Sequence, residues 1–349
     1  MAALFYNRSE NFKTVAPRAK LAEPGGGPLG VMLFNGSARS LVRRLAIPVK
    51  PEPVWIPPAL GLHRPPRHRP TPLANLPAEL HLRITEYIEA IEDVLSVGLA
   101  CPPFRGIVRE RLQEHFRLLF GRWANLQIVC MGEGVGIYDY PPGVFSDEEL
   151  AAIRRQHEIN NQRRAGAYII GAEPRFYDFT KSHISNFQRE PCLKHEIFRL
   201  RDYLAARRWC TSADMVDLGL RPRSDREFFP TDEPWILRNL TRKQFVRAEA
   251  IALNPEFIHG LDVDILGFGE VLLSRICWSL LPPLDIEDPT NICRGVWAGH
   301  RFDITTLARH QREAGEEDEW IDVSNEVAEE IAAIWGSNLG ADWREFLCA

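Results

Sequence analysis

A short helix that is apolar nearly all round constrains this chain more than any other feature. From Val94 to Cys101, the residues Val94, Leu95, Val97, Leu99, Ala100 and Cys101 leave almost no face for water. Such a helix must be covered on more than one side. Upstream, Leu80, Ile84, Tyr87, Ile88 and Ile91 recur at helical spacing and define one face. Pro77 falls at the first helical position, where a missing N–H costs nothing, and Glu79 sits in the first turn at the positive end of the helix dipole. Asp93 precedes the second helix, and Pro102-Pro103 stops it. Phe104, Ile107, Val108, Leu112, Phe116, Leu119 and Phe120 then make the broad face of a third helix. Residues 76–120 therefore predict three consecutive helices. A unit this small has too little core to stand alone and must bury its surplus apolar surface elsewhere.

What precedes Leu76 differs in composition. Residues 1–75 hold 12 of the 26 prolines, a Gly25–Gly27 run, and 11 Lys or Arg against three acids. Proline lacks a donor and fixes φ, so a stretch such as Pro48–Pro72 sustains neither helix nor central strand. Residues 1–75 are expected to be a mostly disordered basic arm, with short apolar pieces (Val31–Phe34, and Leu41, Val42, Leu45 and Ile47) able to dock on the folded body. Its densest basic cluster, His63–Arg69, lacks the interleaved aromatics of a stacking platform, so nucleic acid is not the expected partner.

Downstream, residues 121–349 mix helix and strand. Ser146-Asp147-Glu148-Glu149 has the form of a capping box opening a polar helix to about Arg163. Ala167–Gly171 is a short strand candidate. Lys194–Trp209 reads as helix and Trp235–Leu240 as strand, while Phe245–Leu253 fits both periods. The apolar run Val271–Leu281 points to a mostly buried strand. Val296, Ala298, His300, Phe302 and Ile304 alternate with Trp297, Gly299, Arg301 and Asp303, as in a strand with two differing faces. Val323, Val327, Ile331, Ile334 and Trp335 make a helical face ended by Gly336. No repeat of 20 to 50 residues is present. The expected fold class is α+β, with an arm (1–75), a three-helix unit (76–120) and a mixed domain (121–349).

The seven cysteines are scattered and never paired as CxxC, which suits a reducing compartment. No stretch approaches the roughly 20 apolar residues that span a bilayer, and no secretory leader is evident. The expected location is cytoplasm or nucleus.

The helical segment resembles a known family. Leu76-Pro77-Ala78-Glu79-Leu80, then Ile84, Tyr87-Ile88, Asp93-Val94-Leu95-Ser96 and Cys101-x-x-Phe104-Arg105 are similar to the F-box pattern. The segments Trp235–Thr241, Leu266–Val271 and Gly295–Phe302 look like the C-terminal region of uncharacterised fungal F-box-like proteins. The resemblance covers roughly 45 residues most closely. Relative to the family, this chain has one residue inserted before Asp93 and Pro102 in place of a basic residue. The resemblance implies a non-catalytic ubiquitin-ligase subunit for protein degradation: the helical unit docks on a Skp-type adaptor linked to a cullin, and the remaining domain recruits a protein substrate. The adaptor contacts it implies are Leu76, Pro77, Leu80, Ile84, Val94 and Leu95. Trp297 and Arg301, in phase on the expected strand, would share a substrate face. The alternative is a protein-interaction scaffold outside any ligase, with the helical unit packed internally.

Enzyme motifs are absent: no GxSxG, Walker loop, HExxH or paired CxxC occurs. Gly132-Glu133-Gly134-Val135-Gly136 is followed by Ile137-Tyr138-Asp139-Tyr140-Pro141 rather than a helix, and reads as a turn. Cys293, His300 and Asp303 would place the last two on opposite strand faces. Asp262, Asp264 and Glu270 are the weak candidates for a cation. No catalytic residue, metal or cofactor is expected.

Overall fold

The structure, a computed structural model, describes residues 10–23, 26–36, 38–49, 72–136, 139–164, 193–206, 210–221, 225–280, 282–283, 285–287, 289–315 and 319–348. The strand candidate at 167–171, the basic cluster at 63–69 and Cys192 lie outside these residues.

Helix and strand are mixed along the chain. Strands β1 (Asn11–Ala16), β2 (Leu21–Ala22) and β3 (Gly27–Pro28) come first, followed by helices α1 (Leu29–Phe34) and α2 (Arg39–Leu45). Helices α3 (Ala78–Glu86), α4 (Ile91–Ala100) and α5 (Arg105–Arg117) lead to β4 (Val129–Gly132), α6 (Asp147–Arg164), α7 (Leu193–Ala205) and α8 (Ser212–Asp217). Then come β5 (Trp235–Asn239), β6 (Gln244–Arg247), α9 (Ala248–Ile251), β7 (Ile258–His259), β8 (Asp262–Val263), α10 (Phe268–Ile276) and β9 (Cys277–Trp278). The chain closes with β10 (Phe302–Thr306), α11 (Leu307–Glu313), β11 (Ile321–Asp322), α12 (Ser324–Leu339) and α13 (Trp343–Cys348).

Two compact units result, and their borders are not those expected. One comprises the chain up to Ile47, Gly121–Arg189 and the chain from Thr231; the other comprises Pro48–Phe120 and Glu190–Pro230. The three helices predicted at 76–120 form, but they share their unit with α7 and α8. A sequence window sees only neighbours along the chain, whereas α4 takes part of its cover from a segment about a hundred residues later.

The second unit is helical. Val94, Leu95, Phe104, Val108, Leu112 and Phe116 are buried, as are Leu200 and Leu204 of α7. Gly98 marks a close approach. A Cβ there would stand 3.0 Å from both Leu218 Cδ2 and Val108 Cγ2, so α4 lies close on α5 and on the end of α8. This is the cover an all-round apolar helix needs.

The first unit contains the sheets. In one, the order is β2-β1-β4-β9, with β3 also on β1; β1 runs antiparallel to β4 (Phe12↔Gly132, Val15↔Val129) and β4 parallel to β9 (Cys130↔Cys277). In a second, the order is β10-β5-β6-β11, with Ile304 opposite Leu237 and the β5–β6 hairpin closing at Asn239↔Gln244, and β7 and β8 pair antiparallel as a small third sheet. Val15, Val129, Met131, Val135 and Ala298 form one buried cluster.

Several expectations are corrected here. Residues 11–47 belong to the first unit rather than to a disordered arm: Phe12, Val15 and Ala16 are buried on β1, which fills a sheet position beside β4. The apolar pieces expected to dock do so through Leu33, Leu41, Val42 and Leu45, while Val31 stays exposed. Of the strand expected at Val271–Leu281, only Cys277–Trp278 is strand; Phe268–Ile276 is helix, and all nine of its residues are buried. The apolar run 271–281 crosses the boundary between this helix and β9, so one window mixes two periods. The alternation at 296–304 is also not one strand. Residues 296–299 turn, with Gly299 at φ +79°, and only Phe302–Thr306 pairs in the sheet. Helix α12 passes through Gly336 and stops at Gly340, φ +89°. The Ser146 capping box forms: Ser146 Oγ accepts from Glu149 N–H at 3.2 Å, and Glu149 Oε2 accepts from Ser146 N–H at 2.7 Å.

Candidate functional site

The six residues expected to contact an adaptor divide by burial. Val94 and Leu95 are 0% exposed and belong to the core of the helical unit. Pro77 and Leu80 face solvent, while Leu76 and Ile84 are half-buried. Exposed apolar side chains of this unit occur along α3 and its C-terminal end, where Leu80 is 47%, Leu82 45% and Tyr87 82% exposed, and also at Leu118 and Phe198. Leu80 and Tyr87, seven residues apart, fall on one side of the helix. Ile84 lies between them on the same side and is half-buried, so this face is covered only in part. Between α3 and α5 lies a concavity of about 270 Å³, lined by Leu82, Thr85, Ile107 and charged side chains including Glu110 and Arg111.

A polar cluster fastens α7 to the other helices of this unit. Arg199 donates to both oxygens of Glu196, at 2.9 and 2.7 Å, and to Glu92 of α4. His115 of α5 reaches Glu196 Oε1 at 2.7 Å. The Arg199 hydrogen bond, followed by that from His115, holds the Glu196 carboxyl below the usual range despite its burial. Arg105 makes a comparable clasp to α8, pairing with Asp217 at 2.6 Å and Asp214 at 3.4 Å.

Trp297 and Arg301 do not share a face. Trp297 is 2% exposed: its Nε1 donates to Gln244 Oε1 at 3.0 Å, and the Arg275 guanidinium lies 4.4 Å from its ring. It sits in the turn before β10, so strand phase never applied to it. Arg301 is exposed. Its neighbours are the β5–β6 loop, residues 240–243: Leu240 N–H donates to Arg301 O at 2.8 Å, and Arg301 N–H donates to Thr241 Oγ1 at 3.0 Å. Asn239 organises this loop. It is fully buried, and its Oδ1 accepts from the N–H groups of Thr241 and Arg242 at 3.1 and 3.2 Å. Its Nδ2 is then left to donate to His300 Nδ1 at 3.0 Å, which fixes a neutral imidazole. Burial, with the Arg242 charge nearby, pushes His300 down to about 4.

The remaining chemical candidates are not brought together. Cys293 Sγ contacts Asn291, and His300 contacts Asn239. Asp303 is bound by Arg238, bidentate at 2.7 Å. Asp262 pairs with Arg43, Asp264 with Arg39, and Glu270 Oε2 accepts from Gly267 N–H at 2.9 Å. Among the described residues no group of three or more His, Cys, Asp or Glu is placed to hold a metal ion. Gly132-Glu133-Gly134 turns after β4, and Gly134 N–H donates to the chain's own Glu10. No described helix is long and apolar enough to cross a membrane.

No family model, curated protein or solved structure matches this chain.

Proposed function

We propose that the chain is a substrate-recruiting adaptor: its helical unit docks on a Skp-type adaptor of a cullin ubiquitin ligase, and the sheet-containing unit holds a protein target. The observation that carries this reading is the exposure of Leu80 and Tyr87 on one side of α3, beside the expected contacts Leu76, Pro77 and Ile84. Apolar surface of that kind, rimmed by charges such as Glu79, Arg83 and Glu86, suits a protein partner. The chain contributes no chemical step. It raises the effective concentration of the target near the ubiquitin-charged enzyme. Within the helical unit, Leu76, Pro77, Leu80 and Ile84 are the direct contacts in this proposal, and Val94 and Leu95 support them from the core.

The second reading, an interaction scaffold outside any ligase, is favoured by the complete burial of Val94 and Leu95. A pull-down with purified Skp-type adaptor separates the two. Wild type should bind at micromolar concentration. Leu80→Asp, at an exposed position, should stay folded by circular dichroism yet bind at least about tenfold more weakly. Folded wild type that fails to bind leaves the scaffold reading in place.

A further inference from the structure

The sheet-containing unit carries two exposed arginines, Arg242 and Arg301, that the docking reading does not use. We infer that Arg242 and Arg301 form a binding surface for an acidic segment of a protein chain, the recruited target in the function proposed above. The inference rests on that reading only for the target's fate; the patch itself stands on its own geometry.

Three observations carry it. First, Arg301 is locked beside the β5–β6 loop by two backbone hydrogen bonds, so its side chain starts next to the loop that holds Arg242. Second, the loop is built rigidly: buried Asn239 accepts two of its N–H groups, and Lys243 takes a left-handed conformation at φ +50°. Third, among the described residues neither arginine has an ion pair, although most other arginines of the sheet-containing unit do, including Arg238, Arg247, Arg275, Arg294 and Arg309. Two guanidinium forks on a fixed frame, left without internal carboxylates, match the planar carboxylates of Asp and Glu side chains. The low value of His300 agrees with the frame, because a neutral ring keeps the Asn239 bond and adds no repulsion inside the patch.

The test uses the full chain and a short fluorescein-labelled Glu-rich peptide, with the Gln-for-Glu peptide as its counterpart, followed by fluorescence anisotropy. The Glu-rich peptide should bind, the Gln peptide should not, and added salt should weaken binding. Arg242→Glu with Arg301→Glu, both at exposed positions, should keep the fold and weaken binding about tenfold or more. Arg312→Glu, an exposed arginine of α11 at the far end of β10, should leave most of it, which separates the patch from net charge. No binding by folded wild type, or equal loss in the Arg312 variant, overturns the inference. Because the assay contains no ligase component, its failure is distinct from failure of the Skp-type pull-down.

Discussion

Replacing Asp303 by Asn should cost about 3 kcal/mol of stability. Arg238 on β5 is 5% exposed, and β10 sets Asp303 directly opposite it. The guanidinium donates to both Asp303 oxygens at 2.7 Å and to Glu313 at 3.0 Å, and it lies 5.5 Å from the Trp320 ring. Asn preserves the shape of the side chain, so no cavity opens. It removes the charge and turns one of two acceptors into a donor aimed at a buried cation. Breaking a buried pair from one side costs about 3–5 kcal/mol. Glu313 remains, but its side chain is 41% exposed and its attraction is screened, so it offsets little. The lower end of that range follows. Removing both charges, with Arg238→Met and Asp303→Leu, should come close to neutral, because the desolvation of both ions disappears with them. With each single loss at about 3 kcal/mol or more, their sum should then exceed the double loss by roughly 6 kcal/mol. Urea unfolding followed by tryptophan fluorescence measures this, with the slope compared across variants to detect any change in what unfolds. A loss below about 1 kcal/mol for Asp303→Asn, or a double variant as unstable as the summed singles, would refute the reasoning.

Two further outcomes are expected. Gly295→Ala would place a Cβ 2.3 Å from the Arg275 carbonyl oxygen and 3.0 Å from the Cys277 nitrogen, both backbone atoms that cannot swing aside. It should cost about 1–3 kcal/mol in urea melts, whereas Gly315→Ala, with open space around it, should cost close to nothing. His300 should make stability fall with acid. Its folded-state value of about 4 lies below that of an unfolded histidine, about 6.5, so its contribution is complete above pH ~6.5 and is lost as pH falls from there towards 4. Thermal melts across that window should show a shallower decline for His300→Asn, and an unchanged decline would count against the buried neutral ring.

The parts legible in the sequence are those with a local signature. The capping box at Ser146, the α7 face through Ile197, Leu200 and Leu204, and strand β5 all follow from spacing or end chemistry read within one window. Phe245–Leu253 fitted both periods because it contains both, β6 up to Arg247 and α9 from Ala248. Helix α10 is hard to separate from strand because the apolar run 271–281 continues across its end into β9, and the polar Glu270 that begins its period lies just outside that run. Within 1–75, the strand Asn11–Ala16 is not legible because averaging over prolines and arginines hides six residues that gain their stability from β4, more than a hundred residues away. At the candidate sites, burial settled what periodicity could not. Val94, Leu95 and Trp297 turned inward, and Leu80, Tyr87 and Arg301 stayed outside. Arg242 carries no motif of its own, but Asn239 just before a loop between two β segments is an Asx-turn signal that places it at a hairpin tip.

The helical unit is drawn from two stretches of chain, and this governs how the protein emerges from a ribosome. Helices α3 to α5 are complete at Arg117, yet α7 begins only at Leu193. At translation rates of about 5–20 residues per second, the interval is roughly 4 to 15 s. Throughout it, the side of α4 at Gly98 that packs on Leu218 has no partner, and neither does the surface of α5 that Glu196 will meet. Strand β1 waits in the same way for β4, and β4 for β9. The nascent chain is thus obliged to carry unfinished apolar surface for seconds, a natural occasion for a chaperone, and a message truncated after Phe120 would yield helices with no means of completing their core.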